Sequence, residues 1–409
     1  MKKQRLFLVL LAIWAIYPLN SSYAQQSGNG PRYKISPAPD AWYNDVDGLR
    51  LGLRLRGRQP GTVEEGPHRL DMGIWLGTWL PDYPVSYYLS FIEPIESLTG
   101  FNSEASLQLI SSFRTGWQDH GIGFNKRWQP GFDEMHYTEL SFFLRAQHRF
   151  DMEYVPLPVL WQKKWLSLMD LHLRHQNDNG LGRFVIENRV TVNVPLDHDA
   201  FIRYAGSYLQ NIRFGKGLGL KSRLFAGISS NNTAREYLFS TAVATPVNWM
   251  DSGFTRAKGT IPKPWMDAGN IQLSGGPNLR GYTSQDIKGA LNGTPYLYTS
   301  ILSANFEMDY PNPMGHALKS IPIAGDFIEL RSYLFFDAGT SPGITSLEES
   351  RTLADAGAGF MLSVNIPDYL GKSRGFKIRY DIPLWLSHPG SENNFKYRNL
   401  IGIGAVIDL

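Results

Sequence analysis

Apolar and polar side chains alternate with a period of two along most of this chain. In residues 296–310, Leu302, Ala304, Phe306, Met308 and Tyr310 share one parity, while Ser303, Asn305, Glu307 and Asp309 share the other. Ile328, Leu330, Leu334 and Phe336 alternate with Glu329, Arg331, Tyr333 and Asp337. Phe376, Ile378, Tyr380 and Ile382 alternate with Lys377, Arg379 and Asp381. Earlier, Leu140, Phe142, Leu144 and Ala146 oppose Glu139, Ser141, Arg145 and Gln147. Successive side chains of a strand point to opposite faces, so each segment reads as a strand with one apolar face. In a soluble sandwich that face would meet a core, and the strands would run to about five or six residues. These run to about ten or more, the length a tilted strand needs to cross a bilayer. The expected fold class is all-β, a transmembrane antiparallel β-barrel.

Sixteen segments carry the pattern: residues 46–57, 67–80, 84–93, 103–113, 117–128, 136–152, 163–175, 181–195, 199–214, 217–229, 235–245, 296–310, 326–338, 354–366, 376–386 and 396–409. Bacterial barrels favour such an even number. With both barrel ends in the periplasm, odd-to-even connections are surface loops and even-to-odd ones are periplasmic turns. Residues 114–116, 197–200 and 230–233 then read as periplasmic turns, and 311–325 as a longer periplasmic connection with a short helix. The outsized connection, about residues 246–295, falls between the eleventh and twelfth strands. It is the sixth surface loop, lying outside or folded into the lumen.

Composition supports a membrane barrel. Aromatic residues make up 13% of the chain, as aromatic girdles at both membrane interfaces require. The net charge is +3 and no Lys/Arg run stands out, which argues against nucleic acid as a partner. Lys2, Lys3 and Arg5 precede an apolar run over 6–17, and Ser22-Tyr23-Ala24 is a small-x-small cleavage site. Residues 1–24 therefore read as a secretory signal peptide. Residues 25–44 read as a short periplasmic tail and 45–409 as the barrel. There is no cysteine, hence neither a lipid-anchor thiol nor a disulfide. No apolar run approaches the ~18 residues of a spanning helix.

Enzyme signatures are weak. No His-Glu-x-x-His is present. Gly-x-Ser-x-Gly occurs around Ser341 and Ser373, but a nucleophile elbow needs a strand, a sharp turn and then a helix. Pro342 follows Ser341 and has no N–H for an oxyanion hole, and Ser373 leads into another strand. His172 and His175 point to opposite faces of one strand, and His148 lacks a serine partner. No catalytic residue, metal site or cofactor is expected.

The long loop holds the most specific signal, the stretch GGPNLRGYTSQD at 275–286. Leu279-Arg280-Gly281-Tyr282 lies at its centre. Phe335, Asp337 and Gly339 form Phe-x-Asp-x-Gly on the thirteenth strand, and Asn305 and Glu307, with Pro311 beyond, lie on the twelfth. A guanidinium on an inward loop tip, facing a carboxylate on the barrel wall, makes a charge-assisted bidentate latch. These motifs resemble the outer-membrane assembly-factor superfamily (bacterial surface antigen), which includes BamA, TamA and the two-partner-secretion transporters. The resemblance is best from about residue 270 onward; before that it rests on the strand pattern and on Tyr43–Leu49. It implies a sixteen-stranded barrel whose sixth loop folds inward, with Arg280, Gly281, Tyr282 and Asp337 as the latch and Leu279, Asn305, Glu307, Phe335 and Gly339 as supporting positions.

Two features depart from that family. Residues 25–44 leave no room for its periplasmic POTRA domains, and Leu409 stands where its barrels commonly end on an aromatic residue. Gly402 and Gly404 either weaken the seam between first and last strands or relieve crowding there. The expected function is that of a POTRA-less barrel of the bacterial outer membrane, in contact with outer-membrane lipid. It would assemble or translocate membrane proteins or lipids with a periplasmic or lipoprotein partner. The alternatives are a pore for small solutes or peptides and a non-transporting surface anchor.

Overall fold

The computed structural model describes residues 33–403 except 45, 59–68, 132, 134, 154, 156, 216, 251–262, 323, 342–351 and 368–372. Sixteen antiparallel strands form one sheet in strict sequence order. They are β1 (Lys34–Asn44), β2 (Gly48–Arg58), β3 (Arg69–Gly77), β4 (Val85–Pro94), β5 (Ser103–Arg114), β6 (Trp117–Trp128), β7 (Tyr137–Arg149), β8 (Leu166–Asn179), β9 (Gly182–Val194), β10 (Phe201–Gly215), β11 (Leu218–Ser229), β12 (Ser300–Tyr310), β13 (Ile328–Thr340), β14 (Thr352–Pro367), β15 (Ser373–Leu386) and β16 (Leu400–Ile403). The apolar parity faces out: Leu53, Leu109, Ile122, Leu171, Leu224 and Leu334, on strands spread around the sheet, are all exposed. The opposite parity carries buried Asp119, Asp170, Arg203, Asn305, Asp337 and Arg379. Apolar outside and charged inside is the arrangement of a barrel in lipid.

The described residues of the connection between β11 and β12, 230–250 and 263–299, fill part of the interior. Tyr237 donates to Gln147 of β7, Arg203 of β10 donates to the Tyr237 carbonyl, and Phe239 packs edge-on to Phe225 of β11. Further along, Asn278 meets β12, Arg280 meets β13 and β15, and Gln272 meets β16. A single loop touches strands from β6 to β16 because the sheet curves around it. The plug has an apolar core of its own. Leu238, Val243, Trp249, Leu273 and Ile287 pack with Trp117 of β6 and with Val155, Leu157, Leu160 and Trp161 from the β7–β8 connection.

Several sequence-based expectations are corrected. Residues 34–44, expected within the tail, form β1. Pro37 and Pro39 obscured this strand. Two apart, they put their missing donors on one side, which a strand at the end of the sheet order tolerates. Residues 235–245, expected as the eleventh strand, belong to the plug. Their only strand is Phe239–Ser240, paired with Leu297–Tyr298, and residues 237–245 are buried throughout rather than alternating. The two errors cancel in the count but shift the parity of every turn before β12. Residues 114–116, 197–200 and 230–233 lie at the barrel end that bears the long connection, not at the opposite end. The 311–327 connection is at that opposite end and holds a short helix, Pro313–Lys319, whose N-cap Asn312 accepts from Met314 N–H. Residues 1–24, expected as a signal peptide, residues 25–32 of the expected tail, and residues 404–409, expected to end the last strand, lie outside the described residues.

Leu224 sits mid-strand on β11, facing outward at 52% exposure. An arginine at mid-membrane on a lipid face costs about 2–4 kcal/mol. Leu224→Arg is expected to destabilise the protein by about that amount in urea unfolding from lipid vesicles. No loss in vesicles would place this face outside lipid.

Candidate functional site: a loop latched to the barrel wall

The latch is shaped first by the local backbone. Gly275 (φ +136°) and Asn278 (φ +60°) both occupy left-handed space, which Gly and Asn reach most readily. The Asn278 side chain accepts from Gly275 and Gly276 N–H at 2.9 and 3.2 Å. This fold-back presents Arg280 at the start of a short 3-10 turn, Arg280–Tyr282, which runs into the helix Thr283–Leu291.

Arg280 is 2% exposed and faces a wall built by β12, β13 and β15. Its Nε donates to Asp337 Oδ2 at 2.6 Å and its Nη2 to Asp337 Oδ1 at 3.0 Å, a bidentate pair. Nη1 donates to Glu307 Oε1 at 3.0 Å and lies 3.4 Å from Asp381 Oδ2. The guanidinium lies 4.1 Å from the Phe335 ring centroid, a cation–π contact. Around it the wall carries further ion pairs. Arg379 reaches Glu307 at 2.5 Å and Asp381 at 2.6 Å, and Arg331 reaches Glu307 Oε2 at 2.9 Å. The Tyr333 hydroxyl and Gln272 Nε2 both donate to Asp381 at 2.5 Å. Three guanidiniums therefore meet Asp337, Glu307 and Asp381 in a buried site, and a fourth buried carboxylate, Asp355, stands opposite Asp337 on β14. Removing one partner of such a set leaves an uncompensated buried charge, at about 3–5 kcal/mol.

All nine residues singled out from the sequence lie in or beside this site. Leu279 packs with Tyr282 and Leu386, against Gly339. Asn305 donates to Asp337 Oδ1 and to the Asn278 carbonyl, both at 3.0 Å. Tyr282 donates to the Ala354 carbonyl at 3.1 Å and accepts from His388 N–H at 3.2 Å. Gly281 makes room: a Cβ there would stand 2.8 Å from Asp355 Cβ. Sequence reasoning missed Arg331, Asp355, Arg379, Asp381 and Gln272. Arg331, Arg379 and Asp381 had a signal, since they fall on the polar parity of their strands; Gln272 had none.

The loop also holds the last strand. Gln272 N–H donates to the Ile401 carbonyl at 2.9 Å, and Ile401 N–H donates to the Asn270 carbonyl at 2.8 Å. A strand residue points both backbone groups to one side, so the loop occupies that side of β16 at Ile401. Gly402 fits here because a Cβ would stand 2.9 Å from Gln272 Cβ. At the far side of the plug, Arg149 lies 4.4 Å from the Trp161 ring centroid and 5.2 Å from that of Trp117. Nearby, burial pushes the Glu236 carboxyl up to about 8, only partly offset by the Arg149 and Arg235 charges.

No family model matches the chain, and no curated protein matches it. Among solved structures it is similar to BamA from Haemophilus ducreyi lacking POTRA domains 1–3, with 12% identity and a TM-score of 0.46 over 91% of this chain and 71% of that one. It is also similar to OccK11 (OpdR) of Pseudomonas aeruginosa, with 11% identity and a TM-score of 0.33 over 92% of this chain and 96% of that one.

Arg280→Met and Asp337→Asn should each destabilise the protein by about 3–5 kcal/mol in unfolding titrations. Because they remove one interaction, the double variant should lose less than the sum. Additive losses would contradict direct pairing. A second expectation concerns pH. The folded-state pKa of Glu236 lies above its ordinary value, so its stabilisation is complete in acid and is lost as pH rises through about 8. Glu236→Gln should match the wild-type melting temperature at pH 5 and exceed it at pH 9. Parallel pH profiles would refute the assignment.

Proposed function

We propose that this protein is an outer-membrane barrel of the assembly-factor type, handling membrane proteins or lipids together with a periplasmic or lipoprotein partner. The observation that carries the reading is that one loop joins two places. At Arg280 it is latched to the charged wall of β12, β13 and β15. Eight residues earlier, at Gln272, it is bonded to the backbone of the last strand. A loop so placed couples the lumen to the edge of β16. The exposed apolar belt supports contact with lipid, and the plug disfavours passage of large solutes through the lumen.

A second reading, a pore for small solutes or peptides, is favoured by the cavity left beside the plug, about 520 Å³ in volume and lined by several arginines and aspartates. Gentle detergent extraction from native outer membranes, followed by mass spectrometry of what co-purifies, separates the two. A stoichiometric periplasmic or lipoprotein partner is the expected result. A lone barrel with steady planar-bilayer conductance, raised by deleting residues 246–295, would sink the assembly reading in favour of the pore. A lone, non-conducting barrel would leave a surface anchor.

A further inference from the structure

The half of the barrel formed by β1–β10 encloses the cavity of about 520 Å³, with Tyr237, Asn248 and Met250 of the plug along one side. This volume lies in the range of small-molecule sites, about 300–1,000 Å³. Six arginines and four aspartates line it, and Asp47, outside the lining, pairs with two of those arginines, Arg50 and Arg114. Two of the carboxylates are closely matched. Arg54 lies 3.1 Å from Asp71, and Arg145 Nε donates to Asp119 at 3.2 Å.

Two of the arginines, without a hydrogen-bonded carboxylate among the described residues, stand on β9 and β10. Arg189 stands opposite Ala205, and Arg203 opposite Thr191, which makes the two arginines diagonal neighbours on one face. Glu187, two residues before Arg189, is held by His172 Nε2 at 2.8 Å, and the other nearby carboxylate is Asp170. Its Oδ1 accepts the Thr191 hydroxyl at 2.5 Å and lies 3.7 Å from Arg189 Nε, beyond hydrogen-bond range. Arg203 donates to the Tyr237 carbonyl at 2.8 Å and to Thr245 Oγ1 at 3.2 Å, and has no ion-pair partner among the described residues. Two adjacent guanidiniums thus stand at the edge of the cavity with no hydrogen-bonded carboxylate on either among the described residues. Guanidinium groups favour bidentate pairing with carboxylate and phosphate, and a partly enclosed lumen strengthens that attraction over bulk water.

We propose that this cavity binds a small anion bearing a carboxylate or phosphate group, held at Arg189 and Arg203. The site is independent of whether the barrel assembles clients or conducts solutes.

The test uses the full chain in detergent at low ionic strength, where exposed charges are least screened. Isothermal titration is run with succinate, inorganic phosphate and the cation putrescine. Succinate or phosphate should bind saturably and putrescine should not; whichever anion saturates names the recognised group. Arg189 is partly exposed at 39%, so Arg189→Gln is expected to keep the wild-type melting temperature while weakening anion binding by about tenfold or more. Arg189→Lys should weaken it less. The proposal is overturned if neither anion saturates, if putrescine binds as well as the anions, or if Arg189→Gln keeps full affinity.

Discussion

The buried meeting of Arg280 with Asp337, Glu307 and Asp381 is the constraint on which the rest of this architecture turns. The three carboxylates stand on three different strands and are 0% exposed. Three buried carboxylates could not converge without cations between them, because an unpaired buried charge is costly. Arg331 and Arg379 supply part of the balance from the wall itself. The remaining cation comes from a loop, so Asp337, Glu307 and Asp381 are fully paired only when the loop is home. That links the loop's position to the stability of β12–β15.

From this point the packing follows outward. Leu279 and Tyr282, on either side of the arginine, are clamped by Leu386 and by the backbone of β14. The helix Thr283–Leu291 carries Ile287 and Ala290 into the plug's apolar core, where they join side chains from the β7–β8 connection. Burial of these side chains supplies the apolar stabilisation that holds the plug against β6 and β7. On the other side, residues 270–272 run along β16. The plug is thus fastened by charge at one wall, by apolar packing at the opposite wall, and by backbone hydrogen bonds at the last strand. What remains between plug and β1–β10 is the cavity.

Much of this was legible in the chain, for physical reasons that differ by element. Strands such as β12 and β13 announce themselves because lipid outside and charges inside enforce a strict period of two. Arg280 and Asp337 stood out because each is embedded in a short motif with glycine at a position of close approach. β1 was hidden by Pro37 and Pro39, whose harmlessness depends on the strand's place at the end of the sheet, a tertiary fact. Residues 235–245 misled in the opposite direction. Phe239, Val243 and neighbouring Thr residues have strand-like propensity, but these residues are buried inside the plug instead of alternating across a wall. Gln272 was illegible because nothing local marks a glutamine that meets Asp381, 109 positions away, at 2.5 Å.

The most direct test of the latched loop is native-state hydrogen–deuterium exchange on the peptide spanning residues 270–282, comparing wild type with Asp337→Asn in lipid nanodiscs. If the loop is held in the lumen by the Arg280 pairing, its amides exchange slowly in the wild type and much faster in the variant, while those of β5–β8 are unchanged. Fast exchange in the wild type, or slow exchange in both, would contradict the account.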